Sequence, residues 1–450
     1  MTQLTSQPAP STVAPSTGLL TEMLSAGPDH GTPWLGEIRQ SGIRHFQRMG
    51  LPTTSQEDWR LTNVAELAKI RFSPAASGKA AAIGADITRP WSLRSTGANE
   101  FVFINGLFSP EHSTFSASAA GVAPLAQAAA NPLWRESVFA HLALPQTNGF
   151  TALNTAGFAD GAFISVPADL IAEAPIHLLF ISTEAPHATL AQPRVCIHVG
   201  ARSQITVVHT YVSTGGQPHL TNAVVELAAE SGAKVEIVKL QREAQTAWHI
   251  GQDFIKLASQ ATLQALSLNI GGAVVRNNVQ VRLDGPYAEA TLNGITLITG
   301  RQHVDNQTLL DHAFENCPSH ELYKHLLGGQ ASGVFRGKIL VRPGAQKTDS
   351  KQTSKTVLLS DDATMDSQPQ LEIYADDVKC THGSTTGPLD DEQLFYLRSR
   401  GVDAATARSL LTYAFAGDVL GRTWHGPLKG YLEELVVAEL HRLHLDRTTS

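Results

Sequence analysis

The sequence predicts a mainly β protein: a right-handed parallel β-helix core between an N-terminal, mostly helical region and a small C-terminal helical domain. Three observations carry this. Residues 161–386 hold one short strand pattern after another with almost no helical periodicity. Small or polar turns recur in that stretch at Gly200-Ala201-Arg202, Glu230-Ser231-Gly232, Ala258-Ser259-Gln260 and Asp284-Gly285-Pro286, roughly 26 to 30 residues apart. After residue 386 the pattern switches to helix. A period of that length fits a solenoid better than a sandwich, although a large jelly roll or barrel would also use many short strands.

Residues 1–18 are rich in Ser, Thr and Pro, with no basic start and no apolar core, and read as a disordered leader rather than a signal peptide. Residues 19–160 form the N-terminal domain. In it, Trp34 to Met49 spaces Leu35, Ile38, Ile43, Phe46 and Met49 as a helix does. A proline-bearing turn follows in GLPTTSQEDWRLTNV, then FVFINGLFSP, a strand with a tight Asn-Gly turn. The Ala-rich stretch Ala119–Ala130 is helix or loop. Residues 161–386 are the solenoid core, and residues 387–450 the helical end. There Pro388 and Asp390-Asp391-Glu392 open one helix, and Asp403 caps a second. The second carries an apolar stripe that includes Leu411, Phe415 and Val419; a third helix runs from Leu428 to Leu445. The stripe is either core packed on the solenoid or a partner-docking face.

Composition narrows the function. The chain has 450 residues, 42% hydrophobic and 17% charged, and a net charge of −7. That balance speaks against nucleic acid or an anionic membrane surface as partner. No apolar run reaches the ~18 residues of a membrane span. Three separated cysteines, Cys196, Cys317 and Cys380, do not make a disulfide framework, and a cytoplasmic location is expected.

Several motifs invite chemistry. GGQASGVFRGKILV, from Gly328 to Val341, lacks phosphate-loop spacing: Gly333 and Gly337 enclose three residues, and Ile339 follows Lys338 where a hydroxyl is needed. These glycines read as solenoid turns, and no ATP site is expected on this chain. His303, Asp305 and His312 could form a facial metal triad in a stand-alone β-helix metalloenzyme. A carbohydrate-binding solenoid is a third option, weakened by an aromatic content of 6%. G-x-S-x-G and C-x-x-C are absent. In YADDVKCTHGSTTG, Cys380 and His382 would project from one face of a strand, their Cα atoms ~7 Å apart. Two ligands do not close a zinc or iron–sulfur site, for which four are usual. The pair is therefore half of a labile or shared site, or a small core hydrophobe beside a strand-end histidine.

The stretch from TDSKQTSKTVLLSDDATMDSQPQLEIYADDVKCTHGSTTG through PLDDEQLFYLRSRGV resembles the C-terminal signature of the SufB/SufD family of iron–sulfur cluster assembly proteins. VVRNNVQVRLDGPYAEATLNGI with HVDNQTLLDH is similar to the family's central β-helix, and GLPTTSQEDWRLTNV with FVFING to the N-terminal region of its SufD branch. SufB-like sequences carry a cysteine before Asp-Ser where this chain has Met365, and His-Glu where it has His382-Gly383. The resemblance implies a scaffold subunit that is not itself an enzyme. It would pair through β-helix edges with a SufB-like paralogue and dock a SufC-like ABC ATPase through its C-terminal helices, with Leu411, Phe415 and Val419 as docking residues. The cargo would be a transient iron–sulfur cluster shared with the paralogue, His382 and Cys380 supplying inter-subunit ligands. The family has also been linked to reduced flavin, for which no residue here offers a site. A homodimer is compatible with the resemblance when the chain is alone.

Overall fold

The computed structural model describes residues 33–75, 84–115, 120–128 and 139–445. The leader expected over 1–18 lies outside them, as do Ala119, Ala129 and Ala130. The rest of that Ala-rich stretch is a short strand, Gly121–Pro124, and one helical turn, Leu125–Ala128.

The core is a parallel β-solenoid. Each coil adds one strand to each of two facing sheets, so strands two apart in sequence are neighbours in space. Among the described residues one sheet has 12 strands and the other 10. From Ile176–Ser182 onward, register partners in the ten-stranded sheet lie 27 to 31 residues apart, as in Lys234↔Thr262, Thr262↔Glu289 and Ser319↔Ser350. This is the period of the turns. Inward-facing side chains such as Val207, Ile237, Leu263, Leu292, Val225, Ile255 and Val281 fill the space between the sheets.

The corners explain why the repeat is degenerate in sequence. Arg202, Gly232, Gln260, Tyr287, Asn316 and Lys347 all have φ between 57° and 72°. Each donates its backbone N–H to a carbonyl one coil on: Ser231, Ser259, Pro286, Glu315, Gln346 and Asp377 in turn. The left-handed geometry is shared but only one of the six is glycine. The hydrogen-bonded ladder, not an invariant residue, holds each corner in place.

The N-terminal region is less helical than expected. Its long helices are α1 (Pro33–Met49) and α2 (Gly149–Gly157); between them lie 3-10 turns and short strands. The Asn-Gly turn forms as expected: Asn105 and Gly106 both have positive φ and join Asn99–Ile104 to Leu107–Phe108. The first of these strands pairs in parallel with Ile176–Ser182 and so extends the ten-stranded sheet. The antiparallel strand Leu107–Phe108 ends that sheet, and the antiparallel Gly121–Pro124 ends the other. Where α1 crosses α2, a Cβ on Gly42 would lie 2.6 Å from the Ala156 nitrogen, so the glycine permits the close approach.

This region covers the outer face of the twelve-stranded sheet, with Phe46, Trp59 and Phe150 packed on Leu220 and Ile250. A buried ion pair fixes it there. Glu226 accepts the Arg194 guanidinium at 2.5 and 3.1 Å and the backbone N–H groups of Ala140, Leu142 and Ala143 at 2.9 to 3.0 Å. Glu226→Gln should cost ~3–5 kcal/mol, because it leaves the Arg194 charge buried and uncompensated. A urea titration within 1 kcal/mol of the parent would contradict this.

Interior imidazoles set the response to acid. Burial pushes His312 and His325 down to about 4 and His209 down to about 3, with Lys239 adding to the last. Folding therefore favours their neutral forms. That contribution is complete above the ordinary histidine value of ~6.5 and is lost as pH falls toward 4 and then 3. The buried Glu321 carboxyl, pushed up to about 7, acts the opposite way over the same window, so the diagnostic is the variant: His325→Gln should make the urea midpoint less sensitive to acid between pH 6.5 and 4. An unchanged sensitivity would remove His325 from this account.

Three C-terminal helices, α3 (Asp391–Ser399), α4 (Ala404–Leu420) and α5 (Gly426–Leu445), end the chain. Asp390 caps α3, and Asp403 caps α4 through the Ala405 and Thr406 nitrogens. Ala416, Val419, Leu420, Leu428, Leu432 and Val436 pack on the outer face of the ten-stranded sheet, against Val238, Leu240, Leu266, Leu268, Ile295 and Leu322. Lys324 fastens α4 through the Phe415 carbonyl at 2.7 Å and the Asp418 carboxylate at 2.9 Å, with Glu236 taking the Trp424 N–H at 2.6 Å.

Candidate functional site

The solenoid's C-terminal end is open. Lys379–Pro388 is the last strand of one sheet, and Thr364–Ser367 with Gln370–Ile373 the last of the other; none has a further strand neighbour among the described residues. Register shows what this end presents. Ser350, Gln352, Ser354 and Thr356 are buried and face inward; they pair with Cys380, His382, Ser384 and Thr386. The second set therefore faces inward too, yet His382, Ser384 and Thr386 are exposed and Cys380 is half-buried, because no next coil lies above them. Cys380 and His382 thus share the face that any stacked partner would cover.

Cys380 leans on Ile339, Val341, Ala345 and Ala375. Burial pushes its thiol up and Asp349 pushes the same way, against a backbone hydrogen bond from Ser350. A thiol so held is a poor nucleophile by itself; bound metal would supply the charge that deprotonates it. Among the described residues no group of three or more His, Cys, Asp or Glu side chains could hold a metal ion. Met365 is half-buried in the same end face, its sulfur over Gly333, and contributes a thioether rather than a thiol.

The rival triad is not assembled. His303 and Asp305 share the outer face, where the Thr62 hydroxyl bridges them at 2.9 and 2.5 Å, and Arg276 pairs with Asp305 at 2.5 Å. His312 lies an odd number of residues along the same strand, so it points inward, where it meets Ser319 at 3.0 Å. Asp305 is a structural tie to the N-terminal region. The adjoining cleft of about 360 Å³ has its charges paired, Arg336 with Glu57 and Asp58, Lys338 with Glu372.

The C-terminal stripe also needs correction as a docking face. Val419 is 0% exposed, Phe415 is partly buried under the Lys324 ammonium, and Leu411 is half-buried. Val419 and Phe415 pack α4 on this chain's own sheet. The exposed apolar side chains are others: Phe395 at 73%, Tyr396 at 58%, Leu410 at 48% and Tyr413 at 37%. The helix α3 that carries the first two has no buried residue.

Comparison with known proteins gives the family. Residues 180–415 match the SufBD core domain of the SUF system for iron–sulfur cluster assembly, and residues 19–178 match the SufBD N-terminal region. The chain belongs to the SufBD family. It is 31% identical over 409 residues to an iron–sulfur cluster assembly SufBD family protein of Synechocystis, covering 88% of this chain and 89% of that one. To the iron–sulfur cluster assembly protein SufD of Escherichia coli it is 29% identical over 388 residues, covering 84% and 87%. A SufBD family protein of Mycobacterium leprae is 34% identical over 234 residues, 50% of this chain and 59% of the relative. As in other SufBD proteins, the role is iron–sulfur cluster assembly. No helix among the described residues is long and apolar enough to cross a membrane.

Sequence reasoning missed the polar side chains beneath the end face. Gln352 and Glu321 lie inward on the two coils below His382 and are joined at 2.6 Å. The signal was available in SHELYKHLL, whose alternate residues Ser319, Glu321, Tyr323 and His325 are an unusually polar inward set.

Proposed function

We propose that this SufBD chain is a SufD-type scaffold subunit, without catalytic activity of its own, for iron–sulfur cluster assembly. The observation that carries the reading is a soft ligand pair, Cys380 and His382, facing inward on an uncapped solenoid end. Two ligands need a second donor set, and open strand edges need a partner strand. A SufB-like paralogue stacked on this end meets both needs, and the nascent cluster is the cargo held between the chains. The exposed face of α3 and α4 around Phe395, Tyr396, Leu410 and Tyr413 is the docking surface for a SufC-like ABC ATPase. Nucleotide is supplied there in trans, since the Gly328–Val341 stretch is a corner and a strand.

Co-expression tests this. The chain alone should retain little iron; with the paralogue and the ATPase it should co-purify as one complex and acquire a cluster after anaerobic addition of ferrous iron and sulfide. A chain that stays monomeric in the presence of both, or that builds a cluster alone, would defeat the proposal.

A further inference from the structure

We propose that Gln352, anchored by Glu321, is the positioning residue for His382: its amide carbonyl accepts the ring N–H that His382 does not use for metal. The inference deepens the proposed function and rests on His382 being a ligand.

The backbone sets the geometry. Gln352 and His382 are register partners on adjacent parallel strands, both inward, so their side chains stack one rung, ~4.8 Å, apart. Gln352 Nε2 donates to Glu321 Oε2 at 2.6 Å. A carboxylate only accepts, so this bond turns the NH₂ group down into the solenoid and leaves the carbonyl oxygen as the free end. That oxygen, Gln352 Oε1, is buried and has no hydrogen-bond partner. A buried acceptor without a donor is costly and asks for an explanation. The space for the amide is also built in. A Cβ on Gly337, on the opposite sheet, would fall 1.9 Å from Gln352 Nε2, and Gly337 has no left-handed backbone to account for its being glycine. The chain thus spends a glycine and a buried carboxyl group to hold one amide beneath His382.

A metal-bound imidazole needs such an acceptor. Its second ring N–H is ordinarily held by a carbonyl or carboxylate, which fixes the tautomer and the ring plane, and losing that partner weakens metal binding 10- to 100-fold. The column Glu321–Gln352–His382 supplies one from within the solenoid, on the side away from the paralogue. Burial pushes the Glu321 carboxyl up to about 7, with Gln352 and Thr308 pulling against it, so the test is run at pH 8, where it is ionised.

The test uses the heterocomplex with paralogue and ATPase, loaded anaerobically with ferrous iron and sulfide. Gln352→Leu should weaken iron retention about 10-fold or more and alter the remote-nitrogen couplings of the ligating imidazole in pulsed EPR of the reduced cluster. The swapped pair Glu321→Gln with Gln352→Glu reverses the direction of the lower hydrogen bond but keeps that bond and still presents an acceptor oxygen to His382, and should restore both signals. His382→Ala is the control. If His382→Ala empties the complex while Gln352→Leu loads normally with unchanged couplings, the positioning role is wrong and the proposed function stands. If Gln352→Leu and the swapped pair fail alike, Gln352 is a packing residue and the inference falls. Normal loading of His382→Ala would overturn the proposed function and this inference together.

Discussion

His382→Ala leaves the chain folded and the complex assembled, but the complex loses its cluster. This is the expected result, and each half has a separate physical reason. The imidazole is exposed on the last strand, so its removal disturbs no core. Exposed substitutions of this kind shift stability by no more than ~0.5 kcal/mol, and a thermal melt of the isolated chain should show it. Loss of the cluster follows from ligand counting. A site divided between two chains, as proposed above, would have no spare donor to replace a missing imidazole. The readout is iron and sulfide content of the purified complex after anaerobic loading; wild-type content would place the ligand elsewhere. Cys380→Ser behaves differently. The thiol packs on Ile339 and Val341, so a hydroxyl there perturbs both packing and ligation. Melts and loading must both be measured for that variant, and loading compared only at matched stability.

Val419→Asp should detach the C-terminal helices, whereas Tyr396→Asp should leave them in place and weaken ATPase docking. Val419 is fully buried against the outer face of the ten-stranded sheet with Ala416 and Leu420. An aspartate there would be buried among apolar side chains, which costs several kcal/mol. Circular dichroism should report a lowered melting temperature or an early transition from the helices. Tyr396 is 58% exposed on a helix that buries nothing, so a charge there costs the fold ~0.5 kcal/mol or less. Pull-down by the ATPase should nevertheless fall several-fold if α3 is the contact. A melt unchanged by Val419→Asp would contradict the packing assignment; full ATPase binding by Tyr396→Asp would move the docking surface off α3.

The stripe shows where sequence reading stops. Leu411, Phe415 and Val419 follow helical spacing, which says that one face of α4 is covered but not by what. The answer depended on the outer face of residues 234–327, whose Val238, Leu240, Leu266, Leu268, Ile295 and Leu322 alternate with inward residues and stay apolar. Apolar side chains on both faces of a strand are a legible sign that something packs on each face. The metal triad failed on parity, which the sequence already contained: His303 and His312 are nine residues apart in one strand and must face opposite ways. The solenoid was legible because turn spacing survives substitution. Its corners were legible as turns at Arg202, Gly232 and Gln260 and beside Tyr287, but their left-handed backbone was not, because only Gly232 among them is the glycine that usually advertises it. Cys380 and His382 were legible as a pair on one strand face. Their place at an open end was not, since nothing local in YADDVKCTHGSTTG says that the next coil is missing.

Among the described residues the two ends of the solenoid differ, and for the proposed stacking that difference implies a stoichiometry. Antiparallel strands Leu107–Phe108 and Gly121–Pro124 finish the N-terminal edges, while Lys379–Pro388 is left unfinished. A rod sticky at both ends would polymerise head to tail into filaments. A rod with one blunt end accepts a single neighbour and then has nothing further to offer. Under the proposed function, growth therefore terminates at two solenoids, and an assembled pair encloses one seam rather than a repeating series of them.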